Sequence, residues 1–167
     1  MAQYYSEITE EQIKLIKSSP VFFVGTCAPS PTDVLDGLGP INLSPKGSTA
    51  LHIVDSNRVA YLDYAGSGNE TARHLLAGSP ITVMICSFEE ENAAIVRLYG
   101  MAQVVTLPES PLATELLEHG AKELKLTPRQ VIDITVEKTT TSCGYGVPVM
   151  EFTRDRRLAD RGRLYKK

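Results

Sequence analysis

The stretch that decides the fold is Val59 to Met84, VAYLDYAGSGNETARHLLAGSPITVM. Val59 to Asp63 is an apolar run with strand character. The glycines that follow need turn geometry, and Glu70 to Ala77 can form only a short helix, closed by Gly78 and Pro80. Ile81 to Phe88 (ITVMICSF) is again a strand. Working outward, Leu51 to Val54 precedes Asp55-Ser56-Asn57-Arg58, so this segment and Val59 to Asp63 read as a hairpin. Tight turns between strands favour an antiparallel barrel over a sheet of alternating strands and helices.

Upstream, Thr9 opens a helix with Gln12 three residues on, as in a capping box, and Ile13 and Ile16 give it a short apolar stripe. Pro20 ends it, and Val21 to Cys27 (VFFVGTC) reads as a buried strand. APSPTDVLDGLGP, residues 28–40, reads as a loop. Strand character returns at Ile41 to Ser44, with Pro45 and Gly47 expected to break the ladder. Downstream, an acidic EEEN turn leads into a long strand, Ala94 to Thr106. Pro108 to Leu124 has helical spacing at Leu112, Leu116 and Leu117, weakened by Gly120. Val131 to Thr141 and Val147 to Phe152 read as the last strands.

The chain has 167 residues without a composition break, which predicts one domain over residues 1–167: a barrel at about 21–152 and a basic tail at 153–167. Hydrophobic residues are 43% and charged residues 22%, ordinary for a globular domain. The net charge of −3 offers no global signal for nucleic-acid binding. No run approaches the roughly 20 apolar residues of a membrane helix. The polar, acidic start MAQYYSEITEEQ is unlike a signal peptide, so a cytoplasmic location is expected. Cys27, Cys86 and Cys143 have no metal spacing and read as reduced thiols. His52, His74 and His119 form no zinc pair, and no metal site is expected.

Four constellations carry chemistry. Ser44-Pro45-Lys46-Gly47 brings a hydroxyl, a cation and a close-approach glycine off one strand, suited to a phosphate or an electron-rich ring; the residues alone also fit a bulge with a solvated lysine. Gly66-Ser67-Gly68-Asn69-Glu70-Thr71 exposes N–H groups before the short helix, with Arg73 close by; it also fits a flexible turn in which Ser67 or Asn69 caps the helix. Arg97 is a charge inside an apolar strand and must reach water, a partner or a ligand. Thr141 to Pro148 (TSCGYGVP) holds Cys143 with no neighbouring cation to activate it, and reads as a structural turn. From Arg154 onward seven cations stand against Asp155 and Asp160, which suits a solvated tail or one packed on a partner subunit.

Taken in order, INLSPKG, VAYLDYAGSGNETARHLLAGSPITVM and IVRLYGMAQVV resemble the FMN-binding split-barrel family related to pyridoxamine 5'-phosphate oxidase, and TSCGYGVPVMEF resembles a subgroup of uncharacterised bacterial and fungal members. The resemblance runs from about Val21 to Phe152. It implies a mainly β fold, a six-stranded antiparallel split barrel with peripheral helices. It also implies a homodimer with FMN at the subunit interface. Carried over, Asn42, Leu43, Ser44 and Lys46 should lie along the ring and ribityl chain, with Tyr61, Leu62, Asp63 and Tyr64 as a neighbouring wall. Gly68, Asn69, Thr71 and Arg73 should hold the phosphate, with Lys46 and Arg97 as further cations.

Two departures argue against pyridoxamine phosphate oxidation itself. The oxidase's Ser-Arg-Lys phosphate signature is replaced here by Gly-Ser-Gly-Asn, and its C-terminal Arg-x-His pair has no histidine counterpart in ADRGRLYKK. The expectation is an FMN-dependent oxidoreductase on an unidentified small substrate, with no catalytic residue named. The alternatives are a flavin-binding carrier or sensor without turnover, and the same fold holding haem, with His52, His74 or His119 as axial ligand, or a deazaflavin.

Overall fold

The structure is a computed structural model that describes residues 1–30, 34, 39–66, 68–119, 126–156 and 160. Most of the 28–40 loop, Ser67, Gly120 and most of the basic tail lie outside the described residues.

The chain begins with a three-residue strand β1 (Gln3–Tyr5) and helix α1 (Glu10–Ser18). The Thr9 hydroxyl accepts from the Gln12 amide at 3.3 Å, and the Gln12 side chain accepts from the Thr9 amide at 3.1 Å, which is the expected capping box. The same Gln12 is 1% exposed and ties the helix to the barrel, donating to Thr141 Oγ1 and accepting from the Thr139 hydroxyl, each at 3.0 Å. A cap residue thus satisfies buried polar groups on another element.

The remaining strands are β2 (Val21–Cys27), β3 (Ile41–Gly47), β4 (His52–Asp55), β5 (Arg58–Tyr64), β6 (Ile81–Cys86), β7 (Ala94–Thr106) and β8 (Pro128–Cys143), with helices α2 (Glu70–Leu76) and α3 (Ala113–Glu118) between them. All pairings are antiparallel, in the order β3-β2-β6-β7-β8-β5-β4, with β1 on β8. The two longest strands organise the rest. β7 and β8 pair from Ala94 opposite Cys143 to Thr106 opposite Gln130. One half of β7 carries β6, and the first half of β8 carries β5. The ladder shifts register at Gly100, where a side chain would run into the Thr135 carbonyl, so only glycine fits that bulge. Inside sits one core of interlocking apolar side chains, among them Val24, Val59, Val83, Leu98 and Ile134, each 1% exposed or less. A smaller cluster packs α3 over Leu62 and Val131.

The mainly antiparallel β architecture with few helices is as expected, and several element bounds change. The sheet among the described residues has eight strands, the short β1 and the hairpin partner β4 included. β3 continues through Pro45, paired with Phe23, to Gly47. It ends the strand order, and an edge strand tolerates a residue without an N–H. Val147 to Phe152 is no strand: Pro148 interrupts it, and the segment meets the body where Met150 N donates to Phe88 O at 3.0 Å. Within Pro108 to Leu124, the described helix is only Ala113–Glu118, while β8 starts at Pro128, earlier than the apolar run. Among the described residues, no helix is long and apolar enough to cross a membrane.

Candidate functional site

Strand alternation sorts β3 into two faces. Asn42, Ser44 and Lys46 are half-buried and point one way; Ile41, Leu43, Pro45 and Gly47 are exposed on the other. Asn42, Ser44 and Lys46 line one wall of a cleft of about 500 Å³, and Gly66, Gly68, Asn69, Glu70 and Thr71 line the wall opposite. Asp63 and Tyr64 from β5 and Arg129 from β8 complete it. The Lys46 strand and the Gly68–Thr71 turn, 22 residues apart in sequence, therefore converge on one volume.

Asp63 organises the charges. It is 5% exposed. Its Oδ1 accepts from Lys46 Nζ at 3.2 Å, and its Oδ2 accepts from Arg129 Nε at 3.1 Å, Arg129 Nη2 at 2.6 Å and Gln130 Nε2 at 2.9 Å. A buried carboxylate is stable only when paired in this way. Arg129 Nη1 also donates to the Gly68 carbonyl at 3.3 Å, and Gln130 Nε2 to Asn69 Oδ1 at 3.2 Å, so β8 fixes the turn. Asn69 stands at the N-cap of α2 without a capping bond from its side chain. A second set pins the other end. Asn42 Nδ2 donates to Thr71 Oγ1 at 2.9 Å and to Thr26 Oγ1 at 3.3 Å, and Thr26 Oγ1 lies 3.0 Å from Nδ1 of buried His74.

Of the expected site residues, Asn42, Ser44, Lys46, Asp63, Tyr64, Gly68, Asn69 and Thr71 share this cleft. Five do not line it. Leu43 is 67% exposed on the opposite face of β3. Tyr61 and Leu62 are at most 1% exposed, because β5 is covered on both sides. Tyr61 meets Phe22 edge-on with ring centroids 5.4 Å apart, and Lys46 Nζ stands 5.6 Å from its ring centre. Burial holds its phenol protonated far above the usual range, and its hydroxyl has no partner among the described residues. Arg73 lies two positions beyond Thr71 on α2 and does not line the cleft. Arg97 donates to the Ser142 hydroxyl at 3.1 Å and stands near Cys86, whose thiol is pushed up by burial and partly drawn back by that arginine. Cys86 borders a different groove of about 720 Å³, on the other face of β3, shared with Pro45, Gly47, Phe88, Met150 and Phe152.

Arg129 and Gln130 were not among the expected residues. The signal was present but faint: TPRQ puts a cation and an amide just before an apolar run. Recognising it required the register that sets Gln130 opposite Asp63.

Comparison with known proteins agrees with this architecture. Residues 8–143 match the family model described as pyridoxamine 5'-phosphate oxidase. The pyridoxamine 5'-phosphate oxidase family protein ustO of Aspergillus flavus is 37% identical over 117 residues, 69% of this chain and 46% of that protein, so the chain spans less than half the length of this relative. Among solved structures, HupZ of Group A Streptococcus superposes with a TM-score of 0.59 at 21% identity, covering 79% of this chain and 91% of that one. An FMN-binding protein of Syntrophomonas wolfei superposes with a TM-score of 0.55 at 9% identity, covering 75% and 80%. At these identities the structural likeness speaks for the split-barrel fold alone. The family model spans most of the sequence, and the chain belongs to the pyridoxamine 5'-phosphate oxidase family.

Proposed function

We propose that this chain binds a flavin, FMN, in the cleft between β3 and the Gly68–Thr71 turn, and uses it as an oxidoreductase toward a small substrate. The observation that carries the reading is the convergence of Lys46, Arg129, Ser44, Asn69 and Thr71 on one cleft in a chain of this family. The cleft's volume falls within the roughly 300–1,000 Å³ typical of small-molecule sites.

The donor set fits a phosphorylated polyol. Among the described residues, Lys46 commits one of its three N–H groups and Arg129 three of its five, leaving charged donors for an anion. Thr71 and Asn69 stand beside them, while Ser44 and Asn42 on β3 suit the hydroxyls of a ribityl chain. When bound, the flavin supplies hydride and electron transfer; the protein supplies position and electrostatics. We read the substrate as distinct from pyridoxamine phosphate, since Gly-Ser-Gly-Asn stands where the oxidase carries its Ser-Arg-Lys phosphate signature.

A second reading, a flavin carrier or sensor without turnover, is favoured by one feature. Among the described lining residues there is no histidine or cysteine, and the Asp63 carboxylate is held by Lys46, Arg129 and Gln130, so apart from Glu70 and Tyr64 the wall offers few groups suited to proton transfer.

We also propose that the working form is a homodimer. Support comes from Ile41, Leu43, Leu76, Met150 and Phe152, all more than half exposed on the single chain, which a shared face would bury. The absorption spectrum of the purified protein and the mass of the released cofactor test the ligand: FMN is expected, and FAD, a deazaflavin or haem would each overturn it. Anaerobic mixing with NADH or NADPH separates the oxidoreductase from the carrier, and gel filtration of the loaded protein tests the dimer.

A further inference from the structure

The motifs around Lys46 and Gly68 do not include the second cation of the cleft, and Arg129 comes from a strand that carries none of them. We infer that Arg129 and Lys46 form a two-cation clamp for the phosphomonoester end of the ligand, and that Asp63 is a positioning residue that holds the pair rather than a contact to the ligand. The identity of the ligand rests on the flavin reading above; the anion chemistry of the clamp does not.

Acceptor capacity decides the role of Asp63. An ionised carboxylate offers about four lone-pair positions. Here four N–H groups from Lys46, Arg129 and Gln130 approach it within 3.2 Å. Oδ2 takes three of them and Oδ1 the bond from Lys46, and with the residue 5% exposed a ribityl or phosphate hydroxyl arriving in the cleft meets a carboxylate already held by its own cations. A wall residue expected to touch the ligand is thus spent inside the protein.

What Asp63 accomplishes is visible in its partners. Lys46 leaves β3 and Arg129 leaves the start of β8, and the two like charges meet across β5. Without a shared anion they would repel and swing to solvent. With it, the trio keeps one net positive charge, and the outer N–H groups of both cations remain for a second anion. The guanidinium plane is further fixed by its bond to the Gly68 carbonyl. Arginine presents a planar fork suited to phosphate oxygens, so this placement is specific in direction as well as charge. The clamp exists only once β3, β5 and β8 are assembled, which is why no local motif announces it.

The test compares FMN with riboflavin, its analogue lacking the phosphate, by fluorescence titration of the full chain. The wild-type protein should bind FMN more tightly. Arg129→Gln should weaken FMN at least tenfold and leave riboflavin unchanged, and Arg129→Lys should keep part of the difference. Asp63→Asn should change the FMN-to-riboflavin ratio without changing riboflavin affinity. Parallel losses for both ligands, or no loss in Arg129→Gln, would overturn the clamp. Should the wild-type protein bind neither flavin, the flavin reading fails by itself. Inorganic phosphate then becomes the probe: a rise in Tm with phosphate in the wild type but not in Arg129→Gln supports the clamp, and no rise in the wild type overturns it.

Discussion

The two faces of β3 differ in kind. One borders the polar cleft of about 500 Å³, the other the mostly apolar groove of about 720 Å³. The larger is the less prepared. Along the cleft, Asn42, Lys46, Asp63 and Arg129 are each fixed by hydrogen bonds to other elements before any ligand arrives. Along the groove, Met150 and Phe152 are 59% and 57% exposed on a segment outside the sheet. Such a surface adapts to what covers it, whereas the cleft already has its polar groups placed. Preorganisation, more than size, marks the ligand site.

The comparison breaks first at Asp63. Asp63→Ala removes the buried anion that Lys46 and Arg129 share, and because both cations are partly exposed and can turn to solvent the cost should fall at or below the low end of the ~3–5 kcal/mol that breaking a buried ion pair takes. Phe152→Ala on the groove side should cost less than about 0.5 kcal/mol in the isolated chain, as exposed substitutions do. Urea unfolding of both variants measures the contrast, and equal losses would mean that the cleft is no more organised than the groove.

Next comes Lys46→Ala. Losing one charge-assisted bond should weaken FMN by about 1.5–3 kcal/mol. The apo protein should lose little stability, because Asp63 keeps Arg129 and Gln130. Isothermal titration of the variant checks the first statement and thermal unfolding the second. A smaller effect is expected at Thr71, which both lines the cleft and accepts from Asn42. Thr71→Ala removes a neutral hydroxyl and should weaken FMN by about 0.5–1.5 kcal/mol by the same titration.

Much of this architecture was legible in the sequence because local rules decide it. The capping box at Thr9 and Gln12, the Asp55–Arg58 turn and the uninterrupted Ala94–Thr106 strand all follow from spacing and turn chemistry. β1 was not legible, since three residues carry no periodicity and it forms only because β8 offers it an edge. The candidate site divides the same way. Asn42, Ser44, Lys46 and Thr71 lie within contiguous motifs. Tyr61 and Leu62 sit in such a motif too, but the layers on both sides of β5 bury them, and that depends on elements far away in the chain. Arg129 was missed for the converse reason: its role depends on a strand register between segments 66 residues apart.

Glu70 gives the smallest effect and the finest test of the cleft's electrostatics. It lines the cleft beside Gly68, with its carboxylate folded back over that residue's α-carbon. Unlike Asp63 it is only half-buried and opposes the charge of an incoming phosphate. It also stands in the first turn of α2, where a negative charge stabilises the helix by about 0.3–1 kcal/mol. Glu70→Gln should therefore do two opposite things: lower the apo Tm slightly and tighten FMN by about 0.2–1 kcal/mol, the scale of partly exposed charge pairs. Because such interactions are screened within roughly 10 Å at 0.1 M salt, the gain in affinity should shrink as ionic strength rises. The loss at Arg129→Gln, which removes direct bonds, should persist. Titrations at low and high salt separate the two, and an affinity gain in Glu70→Gln that ignores salt would place its carboxylate in direct contact with the ligand instead of at the rim.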